Sequence, residues 1–189
     1  MSEKPLIRRL SAATFSRKGR RIMPSLARPP PLQTGSTEPA MTAYATAEIA
    51  RLAERLLDRS LPKEEWTHAA HLTATLRLVR IRDAGLERDL PGIIRAYNEA
   101  VGGVNDDTSG YHETITQAYL AAIRAFAAAL PAGTDDAEAA ARLLATPLGD
   151  KAWPLGFWSR ERLFSVAARR GWVEPDLAPL DHAPPEQVR

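Results

Sequence analysis

The sequence predicts an all-α protein, a single compact bundle of about five to six helices. Apolar residues recur at the i, i+3, i+4 and i+7 positions through most of residues 41–175, which is the spacing of amphipathic helices. No credible pair of strands, no internal repeat and no glycine-rich phosphate loop interrupts this pattern. One helical domain, predicted over residues 41–175, accounts for the pattern.

The first three helices are predicted from periodicity and from their end signals. Residues 45–60 place Ile49, Leu52 and Leu56 on one face, with charged residues on the other. Pro62 suits the first turn of a second helix, and Gly85 is placed as its stop. The acidic Glu64 and Glu65 favour the positive end of that helix. A shorter third helix is predicted over residues 91–101.

The second half of the chain predicts three more helices. Residues 102–110 are rich in turn formers and form a loop, after which apolar residues repeat at helical spacing over 112–130. Thr134 can cap the next helix, which Pro147 closes. A last short helix is predicted to start at Ser159 and to end before Gly171.

Composition limits the class of protein. The chain has 189 residues, of which 44% are hydrophobic and 25% are charged, and this is enough for one sizeable core. It has no cysteine, so disulfides and thiolate metal sites are excluded, which fits a reducing compartment. No apolar run approaches the ~18 residues needed to cross a bilayer. We therefore expect a soluble, cytoplasmic protein without a membrane partner.

The two ends of the chain differ in character from the predicted helical domain. Residues 1–40 contain eight Lys and Arg against two Glu, together with a proline run, and they predict a disordered basic extension. The whole-chain charge of +2 then leaves −4 for residues 41–189. This balance gives no basic face for a nucleic acid. Residues 176–189 predict an extended, proline-rich C-terminal tail.

A pair of histidines is the strongest functional signal. His68 and His71 are three residues apart within the second predicted helix, so they project from the same face. Glu64 and Thr75 extend this face into one polar stripe, bordered by leucines, where a solvated face would carry Lys and Arg. We expect the stripe to be half buried.

A third histidine extends this signal into a candidate metal site. His112 occupies the first core-facing position of the fourth predicted helix. Three neutral imidazoles from His68, His71 and His112 suffice to bind a divalent transition metal, most simply Zn or Fe, with one position open for water or substrate. Glu65 and Glu113 are then candidate catalytic residues that transfer a proton. The hypothesis is a small metal-dependent enzyme, hydrolytic or oxidative.

Other interpretations of the same residues stay open. The histidines can instead form a hydrogen-bonded polar cluster in a non-catalytic module that binds a small molecule. Glu65 and His68 match half of a di-iron carboxylate signature, for which the chain offers no second copy. Tyr111 and Arg160 are candidate substrate-binding residues, although an arginine on a short charged helix is more often simply solvated.

Three sequence motifs resemble one known family. They read EWTHAAHL at residues 65–72, TSGYHETIT at 108–116 and SRERLFS at 159–165. In combination they resemble a family of uncharacterised bacterial proteins of about the length of the helical domain. The resemblance implies a shared site at these positions, and it implies no reaction because that family has no established activity.

Overall fold

The computed structural model describes residues 44–181, and this part of the chain is helical without strands, which confirms the predicted class. Seven α-helices follow one another: α1 (Thr46–Leu57), α2 (His68–Arg82), α3 (Leu86–Ala100), α4 (Glu113–Ala128), α5 (Asp136–Leu144), α6 (Arg160–Leu163) and α7 (Val166–Arg170). Three 3₁₀ turns complete the secondary structure: Lys63–Glu65, Pro147–Gly149 and Trp153–Gly156.

Helix α2 lies at the centre of the main core, where it packs against α1, α4 and α5. Its apolar side chains are almost all buried, because neighbours cover it on several sides. A second, smaller cluster forms around Trp158, which is fully buried and donates its indole N–H to the carbonyl of Val173 at 3.0 Å. None of the helices between residues 44 and 181 is long and apolar enough to cross a membrane.

The start of α2 differs from the prediction. Pro62 precedes a separate 3₁₀ turn, and α2 itself begins at His68, where the hydroxyl of Thr67 accepts the amide N–H of Ala70 at 3.3 Å. Glu64 therefore lies on the exposed turn and does not continue the polar stripe of α2. A local cap decided the helix start, although Pro62 was the stronger signal in the sequence.

Helix α3 begins one turn earlier than predicted, at Leu86, and it carries Pro91 inside its first turns. A proline there cannot bond the carbonyl four residues back, which belongs to Glu87. The side-chain amide of Gln117 donates to that carbonyl instead, at 3.1 Å. A contact from α4 thus supplies the hydrogen bond that Pro91 removes from its own helix.

The last predicted helix is two short helices. Ser165 interrupts it, because its hydroxyl accepts the N–H of Ala168 at 3.1 Å and starts α7 as a new N-cap. The predicted C-terminal tail is described only as far as Asp181, and this part contains no helix. Its Leu177 N–H donates to the carbonyl of Phe157 at 2.9 Å. The predicted extension of residues 1–40 lies outside the described residues.

Candidate functional site

A cavity of about 360 Å³ lies between α2, α3 and α4. Most of its walls are apolar side chains that also belong to, or pack against, the buried core: Leu72, Leu90, Ile94, Ile115, Leu120 and Ile123. Six further residues supply its polar groups: His68, His71, Thr75, Thr116, Tyr119 and Lys151. An apolar cavity with a few polar groups is the usual form of a small-molecule site.

The ring of His71 is held from one side by Trp66. The two ring centroids are 3.7 Å apart and the planes differ by 28°, while Trp66 in turn meets the edge of Tyr97 at 5.2 Å. Burial, followed by the nearby His68, lowers the pKa of His71 from 6.5 to about 3. The imidazole is therefore neutral at physiological pH, with one N–H donor and one acceptor nitrogen.

Neither ring nitrogen of His71 forms a hydrogen bond with another residue of the described part of the chain. Two side-chain polar atoms there are fully buried without a partner, in Trp66 and Thr73, and the nitrogens of His71 are not among them. The ring nitrogens therefore keep accessible surface, and the residue lines the cavity. The ring nitrogens of His71 can therefore form hydrogen bonds with a molecule bound in the cavity.

His68 is fixed by the segment that follows α5. Its Nε2–H donates to the carbonyl of Leu148 at 3.0 Å, and its ring meets the edge of Tyr119 at 5.4 Å. The hydroxyl of Tyr119 donates to the carbonyl of Asp150 at 3.2 Å. These contacts place the exposed Lys151 at the rim of the cavity, beside the two histidines.

His112 has a structural role at the start of α4. Its Nδ1 accepts the N–H of Ile115 as the N-cap, at 3.4 Å, and its Nε2–H donates to the carbonyl of Leu163 at 2.9 Å. Both ring nitrogens are thus occupied by backbone groups. Burial, followed by the charge of Arg169, lowers the pKa of this imidazole and favours its neutral form.

The structure brings His68 and His71 together but does not add His112 to them. Between residues 44 and 181, no group of three or more His, Asp or Glu side chains is placed to hold a metal ion. The predicted three-histidine centre is therefore not assembled in this part of the chain. Zn or Fe as a cofactor stays a prediction, without support from this arrangement.

The two predicted catalytic glutamates lie outside the cavity. Glu65 is on the exposed 3₁₀ turn and forms an ion pair with Arg55 at 3.0 Å. Glu113 is buried, where it accepts the hydroxyl of Tyr111 at 2.7 Å and the amide of Gln117 at 2.9 Å. The contacts of Glu113 hold the loop before α4 in place, and a catalytic role for either glutamate stays a prediction.

The two predicted substrate-binding residues also lie apart from the cavity. Tyr111 is buried, and it lines a separate polar cleft. Burial, followed by its hydrogen bond to Glu113, raises the pKa of the Tyr111 hydroxyl. Arg160 is exposed on α6, where its guanidinium lies 5.3 Å from the centre of the Phe164 ring. A substrate contact of Arg160 stays a prediction.

The sequence did not single out several residues of the cavity. Thr116 and Tyr119 lie on the helical stripe of α4 that the sequence placed against the core, and two polar side chains within such a stripe were a usable signal. No sequence pattern marked Lys151, because the path of the segment that follows α5 brings it to the rim of the cavity. Ile94 lies within the predicted third helix, and nothing in the sequence marked it as a cavity residue.

These positions were compared with known proteins. No family model, no curated protein and no solved structure matches the chain. The family resemblance of the three motifs therefore stays a prediction. The geometry of the cavity is what supports a functional assignment.

Proposed function

We propose that this protein binds a small, mostly apolar molecule in the cavity between α2, α3 and α4, and that His71 hydrogen-bonds the ligand's polar group. One observation carries the proposal. A neutral imidazole, fixed by Trp66, opens onto an apolar cavity, and its nitrogens bond no other described residue. A polar group in an apolar cavity forms fewer hydrogen bonds with water than one in bulk solvent, and a bound ligand can supply the missing hydrogen bond.

The size of the cavity limits the ligand. Its volume of about 360 Å³ is more than twice the ~150 Å³ of an engineered apolar cavity that binds benzene. It also falls within the ~300–1,000 Å³ range of small-molecule sites. A ligand of about two fused aromatic rings, or an aliphatic molecule of equal bulk, fits this space.

The polarity of the cavity favours an uncharged ligand with a hydroxyl or carbonyl group. His71 supplies one donor and one acceptor without charge, and burying an unpaired ion among leucines and isoleucines costs about 5 kcal/mol. Lys151 is the sole cation of the lining, and it is exposed. An anionic group of a ligand can therefore pair with a cation only at the rim, whereas the interior of the cavity favours a neutral molecule.

The lining also favours binding over hydrolysis. It includes no Asp or Glu side chain, so neither histidine has a carboxylate within the cavity to orient it or to share a proton. A non-catalytic helical module, the second interpretation of the sequence, fits this lining better than a hydrolytic enzyme does.

Titration with 2-naphthol and with naphthalene, which lacks the hydroxyl, tests the proposal. Ile94 lines the cavity, so Ile94→Trp should fill it and abolish binding of both probes. Ile81→Trp is the matched control, because Ile81 is 52% exposed and lies outside the cavity. His71→Phe keeps a ring to stack on Trp66 and removes the nitrogens.

We expect His71→Phe to weaken 2-naphthol binding about five- to tenfold, the value of one net hydrogen bond, and to leave naphthalene binding nearly unchanged. The proposal fails if neither probe binds the wild type, or if Ile94→Trp binds both probes as tightly as Ile81→Trp does.

A further inference from the structure

A second concave site, a polar cleft of about 490 Å³, lies between α3, the loop before α4, and α7. It shares no lining residue with the cavity described above. Three arginines and two aspartates line it: Arg95, Arg169, Arg170, Asp106 and Asp107. The neutral side chains of Asn105, Thr108 and Tyr111 complete the lining.

Two of these arginines have no carboxylate partner in the described part of the chain. The Arg95 guanidinium lies over the ring of Tyr111, with 4.2 Å between its central carbon and the ring centre. Arg169 donates from Nη1 to the carbonyls of Gly110 and Tyr111, at 3.3 and 3.1 Å. Both guanidiniums are therefore held in place by uncharged groups and keep further N–H donors unused.

The acidic groups of the cleft are engaged with other partners. Asp107 forms a two-point ion pair with Arg170, with both distances 2.7 Å. Asp106 accepts three hydrogen bonds from Thr108 and Ser109, which lower the pKa of its carboxyl group. Neither Arg95 nor Arg169 forms an ion pair with these carboxylates, and the charge of Arg169 acts on Asp106 only as the smallest of the effects that lower its pKa.

The loop that forms the cleft is fixed by its own hydrogen bonds. The side chain of Asn105 accepts from Asn98 and from the Tyr111 amide, and it donates to the carbonyl of Arg95 and to Glu99. Gly110 has a φ of +75°, and a side chain there would meet the carbonyl of Val104. Tyr111 is therefore presented to Arg95 by a rigid loop.

We propose that this cleft binds the oxyanion group, phosphate or carboxylate, of a small molecule through Arg95 and Arg169. Arginine guanidinium groups bind phosphate and carboxylate with paired, charge-assisted hydrogen bonds. In the cleft, Tyr111 and two backbone carbonyls hold the two guanidinium groups in place before a ligand binds. The site is independent of the apolar cavity. Tyr111 was predicted to bind a substrate, and in this proposal it acts by holding Arg95 in place.

The test uses the full chain labelled with ¹⁵N and follows the Nε signals of the arginines during titration with inorganic phosphate and, separately, with acetate. We expect saturable shifts of the Arg95 and Arg169 signals with a Kd of ~1–10 mM for at least one anion. The anion that binds more tightly identifies the class of oxyanion. Because residues 1–40 carry eight Lys and Arg, the variants below separate binding in the cleft from binding elsewhere.

Arg95→Gln and Arg169→Gln should each weaken binding at least tenfold. Arg51→Gln is the matched control, since this exposed arginine of α1 lies outside the cleft, and it should leave binding unchanged. If Arg169→Gln disturbs the fold in circular dichroism, Arg95→Gln decides alone, because Arg95 is an exposed residue of α3. No shift at ~20 mM of either anion, or wild-type affinity in Arg95→Gln, would overturn the proposal.

Discussion

The imidazole of His71 stacks on the indole of Trp66, with 3.7 Å between the ring centroids. Trp66 follows the 3₁₀ turn before α2, and His71 lies in the first turn of α2, so the entry into this helix sets both rings. The contact excludes water from one face of His71 and directs its polar edge into the cavity.

We expect His71 to stay neutral as the pH falls from 6.5 to about 3, because burial and then the charge of His68 lower its pKa over that range. Two-dimensional NMR of the imidazole nitrogens over a series of pH values measures this directly. A titration midpoint near 6.5 for His71 would show that its ring is solvated.

The same pKa predicts how stability depends on pH. Below pH 6.5 the unfolded chain binds a proton at His71 while the folded protein does not, so stability is lost as the pH falls from 6.5 toward about 3. The slope is at most ~1.4 kcal/mol per pH unit. Urea unfolding of wild type and His71→Phe over this range should give a flatter curve for the variant, and parallel curves would contradict the assignment.

Two buried threonines should respond to valine in opposite directions. Thr73 is fully buried and its hydroxyl has no partner in the described structure, so Thr73→Val should stabilise the fold by about 1 kcal/mol. Thr114 is the matched control, because its hydroxyl donates to the carbonyl of Gly171 at 2.8 Å and accepts the N–H of Val173 at 3.1 Å. Thr114→Val should destabilise by ~1–3 kcal/mol. Shifts of equal sign in urea unfolding would contradict this account.

His112→Ala should destabilise the protein by about 2–4 kcal/mol, because it removes the cap of α4 and leaves the buried carbonyl of Leu163 unpaired. His112→Asn restores a capping side chain and should recover ~1 kcal/mol of that loss. Chemical unfolding of the three proteins measures both differences. A His112→Ala variant as stable as wild type would remove the structural role of this histidine.

Local patterns predicted the helices well, and the errors lie at their ends. The start of α3 was missed because the predicted helix began at Pro91, in the first turn that proline favours, whereas the bond that accommodates Pro91 inside the helix comes from Gln117, far along the chain. The division between α6 and α7 was also missed, since Ser165 is a weak signal without its observed bond to Ala168. Propensity rules consider each segment by itself, whereas the ends of these helices depend on side-chain hydrogen bonds that the sequence pattern does not reveal.

The candidate site was also predicted in part, where residues are close in the sequence. The spacing of His68 and His71 placed both on one face of a helix, and the structure brings both to one cavity. His112 was grouped with them because it too was predicted to face the core. Its partner, the carbonyl of Leu163, is 51 residues away, and no spacing rule relates the two.

The measurement that tests the central claim most directly is the ¹⁵N NMR spectrum of the His71 ring during titration with 2-naphthol. A hydrogen bond from the probe should shift the unprotonated ring nitrogen of His71 saturably, while both nitrogens of His112, bonded to Ile115 and Leu163, stay unchanged. Naphthalene should bind without this shift. If 2-naphthol binds while the His71 nitrogens stay unchanged, or if it fails to bind, His71 is not the residue that recognises the ligand in this cavity.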